Sequence, residues 1–173
     1  MALRPDRNEH LTDLSYFMNE TGERGIVVIH DSGGSGAAMD DSAALVKAPG
    51  GASDAGTTVS GTIPAGLLLN DVVNLDLTRQ HINFAKDEVQ KGSKVLILRR
   101  GTVVTDQISG TPTIGAVAYL NNLGQISATA IEGLTNDSVT QVRATPSVGR
   151  FLSIKDADGY AKVEIDISDS NTK

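Results

Sequence analysis

Asp31-Ser32-Gly33-Gly34, directly after His30, comes nearest to a catalytic signature, because a serine between an aspartate and glycines is how trypsin-like enzymes present their nucleophile. Apart from the adjacent His30, the only upstream histidine is His10, in a polar segment, so the residues read as a Gly-rich loop after a strand. The same loop, Gly34-Ser35-Gly36-Ala37-Ala38-Met39, mimics a dinucleotide fingerprint. Met39 stands where the third Gly or Ala belongs, and no βαβ pattern continues. No Gly-Lys-Ser/Thr phosphate loop occurs. Asp156 and Asp158, with Asp166 nearby, have the spacing that opens many calcium loops, but the closing Glu is missing and Asp-Gly predicts a type I′-like turn. His10, His30 and His81 are far apart, each without a second histidine at ligand spacing. The expectation is a protein that is not an enzyme and has no cofactor and no metal.

Composition agrees with a structural reading. The 173 residues suffice for one domain with a real core, and Leu, Ile, Val and Phe supply about a quarter of them. Eighteen Gly, no Trp, three Phe and three Tyr describe short strands, tight turns and a branched-aliphatic core. A net charge of −6 provides no basic footprint for phosphates, so direct nucleic-acid binding is not expected. With no Cys, disulfides, thiolate zinc sites and cysteine nucleophiles are excluded. No apolar stretch approaches the roughly 20 residues that span a bilayer, and no signal-type apolar region follows the N-terminus. The expectation is a protein that is made in, and stays soluble in, the cytoplasm of whatever cell makes it, without membrane contact.

The elements that would position any site are strands. Lys94 to Thr105 reads as a β-hairpin turning at Arg99-Arg100-Gly101, a solvated tip or a contact for an acidic neighbour. Its first strand is apolar on both faces: Val95 and Ile97 on one, Leu96 and Leu98 on the other. Ile26 to Ile29 and Leu67 to Leu69 repeat the pattern. Such strands need cover from an arm of their own chain or from another subunit. Ile26–His30 and Ile63–Val73 read as strands, Ala37–Lys47 as helix or strand, and Asn74–Lys91 as a long irregular connection. Turn signals recur at Gly110, Asn121-Asn122, Gly133, Asn136-Asp137 and Asp156–Gly159. The last two strands, Val148–Lys155 and Tyr160–Ile167, set Val163, Ile165 and Ile167 against Lys162, Glu164 and Asp166. The fold class expected is mainly β: a small antiparallel β-barrel or sandwich with long irregular connections.

Residues 1–25 are polar and read as an N-terminal arm, with 26–173 as a single β-rich domain. Burying the arm's Leu11, Leu14, Tyr16, Phe17 and Met18 would contribute about 8–15 kcal/mol. Ordering its backbone costs about as much, roughly 8–16 kcal/mol, so one arm docks weakly and several together dock firmly. The candidate interface residues are these five with Arg24, Arg79, Phe84, Arg99 and Arg100.

Leu14-Ser15-Tyr16-Phe17-Met18-Asn19-Glu20-Thr21-Gly22-Glu23-Arg24-Gly25, Leu67-Leu68-Leu69-Asn70-Asp71, Asp76 to Asn83, Lys86 to Gly92, the Lys94 segment and Ala116 to Leu120 form a pattern that covers most of the chain from Leu14. This pattern resembles the capsid decoration, or cement, proteins of tailed bacteriophages. The resemblance implies a small β-rich protein, often trimeric, that binds the outside of an expanded head and staples neighbouring subunits of the major capsid protein. Its expected place is the outer surface of the virion. The alternative class is a receptor- or glycan-binding module of a virion fibre, disfavoured by the scarcity of aromatic residues on which sugar faces stack.

Overall fold

The computed structural model describes residues 3–4, 6–31, 44–49, 63–69, 88–89, 91–130 and 146–167. Among them there is no helix. The strands are β1 (Asn8–Met18), β2 (Gly22–Glu23), β3 (Val27–Asp31), β4 (Ala44–Lys47), β5 (Pro64–Leu68), β6 (Glu88–Val89), β7 (Lys94–Thr105), β8 (Ile108–Ser109), β9 (Val117–Leu120), β10 (Ile126–Ser127), β11 (Ser147–Phe151) and β12 (Ala161–Asp166). The chain is mainly β, as its branched aliphatics and turn residues predict. The Gly-rich stretch after Asp31, the dinucleotide-like stretch to Met39, most of 74–91 with Arg79, His81 and Phe84, and the turn signals at Gly133 and Asn136-Asp137 lie outside the described residues.

One sheet runs β1-β4-β3-β5-β7-β12-β11-β9-β10-β8, while β2 pairs separately with β6. It is mixed rather than purely antiparallel, because β1 lies parallel to β4 and β10 parallel to β8. β1 also pairs antiparallel with β7, so β1, β4, β3, β5 and β7 close on themselves. β7 then runs on beyond this ring and carries β12 on the edge that β5 leaves.

Two sequence expectations fail here for related reasons. Lys94–Thr105 is one continuous strand of 12 residues, not a hairpin. Gly101 reads as a turn residue but serves a close approach: its φ is +153°, and a Cβ there would collide with the carbonyl oxygen of Asn8 on β1. Only glycine lets the two strands meet at that point. The second failure is the division at residue 25. β1 is a strand inside the main sheet, with Tyr16 opposite Val95 and Phe17 opposite Lys94, and Tyr16 and Met18 are buried. A strand whose partners lie so far along the sequence leaves no local signal of its pairing.

The pattern of strands apolar on both faces is resolved by two cores. Val27, Ile29, Leu67, Leu69 and Leu98 pack with Phe151, Val163 and Ile165 in one. Their neighbours Val28, Leu68, Val95 and Ile97 pack with Tyr16, Met18 and Val46 in the other. Successive residues of β3, β5 and β7 thus serve opposite cores, as strand geometry dictates. The chain covers both faces with its own residues, and a second subunit is not needed to bury them.

The C-terminal pair follows the sequence reading. β11 and β12 are antiparallel, Val163, Ile165 and Ile167 are buried, and Glu164 and Asp166 are exposed. Their connection is not the two-residue type I′ turn expected. Asp156 N donates to Tyr160 O at 2.8 Å, Gly159 N donates to Asp156 O at 3.1 Å, and Gly159 has φ +89°. Within the connection 152–160, residues 157–159 form a three-residue loop closed by a left-handed glycine. The Asp156 carboxylate accepts the N–H groups of Asp158 and Tyr160, a local reason for an aspartate here.

Deleting residues 1–20 is expected to abolish cooperative unfolding in urea, since it removes the strand that closes the ring and two of its core side chains. Gly101→Ala is expected to cost about 3 kcal/mol or more from the collision with Asn8. Gly92→Ala, at φ +81° with open space around it, is expected to cost only about 1–2 kcal/mol. Equal shifts in the denaturation midpoint would contradict the close-approach role.

Candidate interaction surface

The solvent face of the extended sheet follows from strand alternation. Along β7 and β12, Val103 and Thr105 face inward opposite Val163 and Ala161, so Thr102 and Val104, opposite Glu164 and Lys162, face outward. One outward row runs Asn8, Thr102, Glu164, Arg150, Val117 across β1, β7, β12, β11 and β9. The next runs Leu11, Arg100, Asp166. Arg150 faces Glu164 and Arg100 faces Asp166, opposite charges in directly opposed positions, which stabilise a strand pair modestly.

At the β9–β11 edge the face turns apolar. Val117 is 39% exposed, Leu152 39%, Ile154 60% and Ile114 71%. Gly115 N donates to Phe151 O at 2.8 Å, and Phe151 N donates to Ala116 O at 2.9 Å. These bonds bring 114–117 against 151–152, with Ile154 two residues further along the chain. Exposed aliphatics on neighbouring segments are candidates for a contact surface.

The sequence candidates are distributed unevenly over this surface. Leu11, Leu14 and Arg100 are exposed, and Leu11 stands opposite Arg100 on the outward face. Phe17 is half-buried. Tyr16 and Met18 belong to the ring's core and are not available as contacts. Arg24 is half-buried in the turn after β2, where Gly25 N donates to Leu68 O at 2.8 Å. Arg99 and Arg100 are strand residues rather than a hairpin tip, and the Arg99 carbonyl accepts from Ile167 N at 2.8 Å. Ile114, Val117, Leu152 and Ile154 were not anticipated. Leu152 and Ile154 are out of phase with the buried Phe151 but in phase with the buried Val148, so alternation by itself did not mark them as exposed.

The residues with chemical potential are engaged structurally. The Asp31 carboxylate, 9% exposed, accepts from Asn19 Nδ2 at 2.7 Å and pairs with Lys47 Nζ at 3.2 Å. His30 is exposed and its ring lies 5.5 Å from that of Tyr16, while His10 is exposed on β1. Among the described residues no group of three or more His, Cys, Asp or Glu could hold a metal ion. Asp156 and Asp158 instead face Arg4, whose Nη2 is 3.7 Å and 3.1 Å from their carboxylates and whose guanidinium carbon is 4.0 Å from the centre of the Tyr160 ring.

Arg4 belongs to a short strap. Leu3 is 3% exposed, bridges Thr105, and precedes Arg4, whose N–H donates to Val104 O at 2.9 Å. Burial of Leu3 contributes about 1.5–3 kcal/mol. Fixing two backbone residues costs about 2–4 kcal/mol. An exposed ion pair adds about 0–1 kcal/mol, and a cation–π contact about 0.5–1 kcal/mol. These contributions nearly cancel, so the Arg4 contacts decide whether the strap stays down.

On β1, the Ser15 hydroxyl donates to the Asp13 carboxylate and holds it below the ordinary aspartate range; burial opposes this, and the Ser15 N–H, at 2.8 Å, and the charge of Arg99 add to it. A carboxylate depressed on folding favours the folded state above pH 3.8, and that contribution is lost as pH falls through the lower folded-state midpoint. A carboxyl-carbon NMR titration is therefore expected to place Asp13 below 3.8, with Ser15→Ala moving it upward. A wild-type midpoint at or above 3.8 would contradict the hydrogen bond's role. Compared with known proteins, the chain matches no protein-family model and no curated protein sequence.

Proposed function

We propose that this protein is a capsid decoration protein of a tailed bacteriophage, a structural and non-catalytic component that binds the outer surface of the head and bridges neighbouring copies of the major capsid protein. The reading rests on the sequence resemblance carried by Leu14–Gly25, Leu67–Asp71 and the stretches that follow. The observation that carries it furthest is the outward face of β1, β7, β12, β11 and β9. Ile114, Val117, Leu152 and Ile154 stay in solvent there, although the chain fills both its cores with its own side chains. A rigid sheet with an apolar corner and paired surface charges suits a flat docking partner. A lattice that repeats the same site many times turns a modest contact into firm attachment. The protein acts as a homotrimer, needs no cofactor and contacts neither nucleic acid nor membrane.

Expanded heads of the parent phage prepared without this protein are expected to take it up to a fixed saturating copy number in co-sedimentation. Val117→Asp with Leu152→Asp should leave the melting temperature nearly unchanged and weaken uptake about tenfold or more, since a charge would replace apolar contact at two sites. No uptake by the heads would sink the proposal. Undiminished uptake of the double variant would move the docking surface elsewhere. Native mass measurement should find a trimer, and a monomer at working concentration would remove that part of the reading.

A further inference from the structure

The strap Leu3–Arg4 occupies a seat with three separate requirements. Leu3 fills an apolar socket in the larger core, opposite Thr105 on β7. The Arg4 N–H meets the Val104 carbonyl at 2.9 Å on an edge of β7 that β12 does not cover. The Arg4 guanidinium lies over Tyr160 and between Asp156 and Asp158. Pairing of this part of the chain with β7 resumes at Asn8, opposite Thr102. Three residues of sequence separate Arg4 from Asn8 where one, Val103, separates their partners on β7, so Leu3–Arg4 and β1 pair with β7 as two separate stretches.

We infer that this strap is an exchangeable strand, and that its partner is a second copy of the same chain whose Leu3 and Arg4 fill the seat in trans. The near balance of the strap's contacts leaves its open form accessible. The vacant seat then demands an extended segment with an aliphatic residue followed by arginine, and the chain itself carries that segment. Exchange preserves every contact of the closed form, which makes it a low-cost route to self-association. The span from Arg4 to Asn8 reaches roughly 14 Å when extended. The second copy's β1 must therefore begin within that distance, which sets Asp6 and Lys162, now 3.5 Å apart, at the seam whether exchange is mutual in a pair or cyclic in a trimer. Because the Arg4 side chain is 41% exposed, salt screens its ion pairs and speeds opening. This inference does not depend on the capsid reading.

The chain has no cysteine, so Leu3→Cys with Thr105→Cys introduces the only two thiols, at positions already paired across the strands. Natural-abundance and nitrogen-15-labelled full-length copies of this variant, mixed at equilibrium and then oxidised, are expected to give disulfide-linked peptide pairs in which one partner is heavy and the other light. The fraction should rise severalfold from micromolar to millimolar protein and form faster in salt. Disulfides confined within single chains at every concentration would overturn the inference. Should the variant lose its cooperative melt, the wild-type chain decides. An isotope-filtered NOE between Leu3 of a labelled copy and Thr105 of an unlabelled one supports exchange, and its absence at millimolar protein refutes it.

Discussion

β7 is buried on both faces from Val95 to Leu98 and flanked on both edges, and most of the molecule is arranged to satisfy it. A strand of 12 residues presents two rows of backbone donors and acceptors, and a buried group left unpaired is costly. One edge is taken first by β5 and then by β12, the other by β1 and, beyond Asn8, by Leu3 and Arg4. Its first half divides between two cores by alternation, with Val95 and Ile97 on one side and Leu98 on the other, and beyond Gly101 Val103 joins Leu98 in the larger core. Gly101 sits at the junction and admits the Asn8 carbonyl at a distance no other residue permits.

The candidate surface is a by-product of that arrangement. Once alternate residues of β12, β11 and β9 are committed to the larger core, the remaining ones must face water, and most of them are charged or polar. Arg150 with Glu164 and Arg100 with Asp166 suit that environment. Ile114, Val117, Leu152 and Ile154 do not, and the fold supplies no cover for them among the described residues. Exposed aliphatics at the end of a sheet that already has two filled cores are better explained by contact than by packing.

How much of this was legible in the chain varies with the range of the interaction involved. The terminal hairpin could be read closely, since its alternation and its Asp-Gly turn are both local; even there, hydrogen bonding by the Asp156 carboxylate selected a longer loop than the dipeptide suggests. The strand character of β3 and β5 was equally plain from Ile26–Ile29 and Leu67–Leu69. Arg99-Arg100-Gly101 misled, because glycine signals a turn and a close strand approach alike, and only the position of Asn8 distinguishes them. Of the proposed contact residues, Leu11, Leu14 and Arg100 kept their exposure, whereas Tyr16 and Met18 were drawn into the ring.

The sequence by itself determined the β class, the alternation of the last strands, the absence of disulfides and the need for cover on both sides of three strands. Periodicity carries that information, because the pleat assigns each side chain to a face whatever lies beyond it. Tertiary structure alone decided what the cover is: β1, drawn from a polar N-terminal segment, closes the ring through residues distant in sequence. It also decided which aliphatic side chains stay in water. Apolar pattern states that a face must be buried, but the partner that buries it is selected by which distant segments can reach the same place with their backbone groups paired.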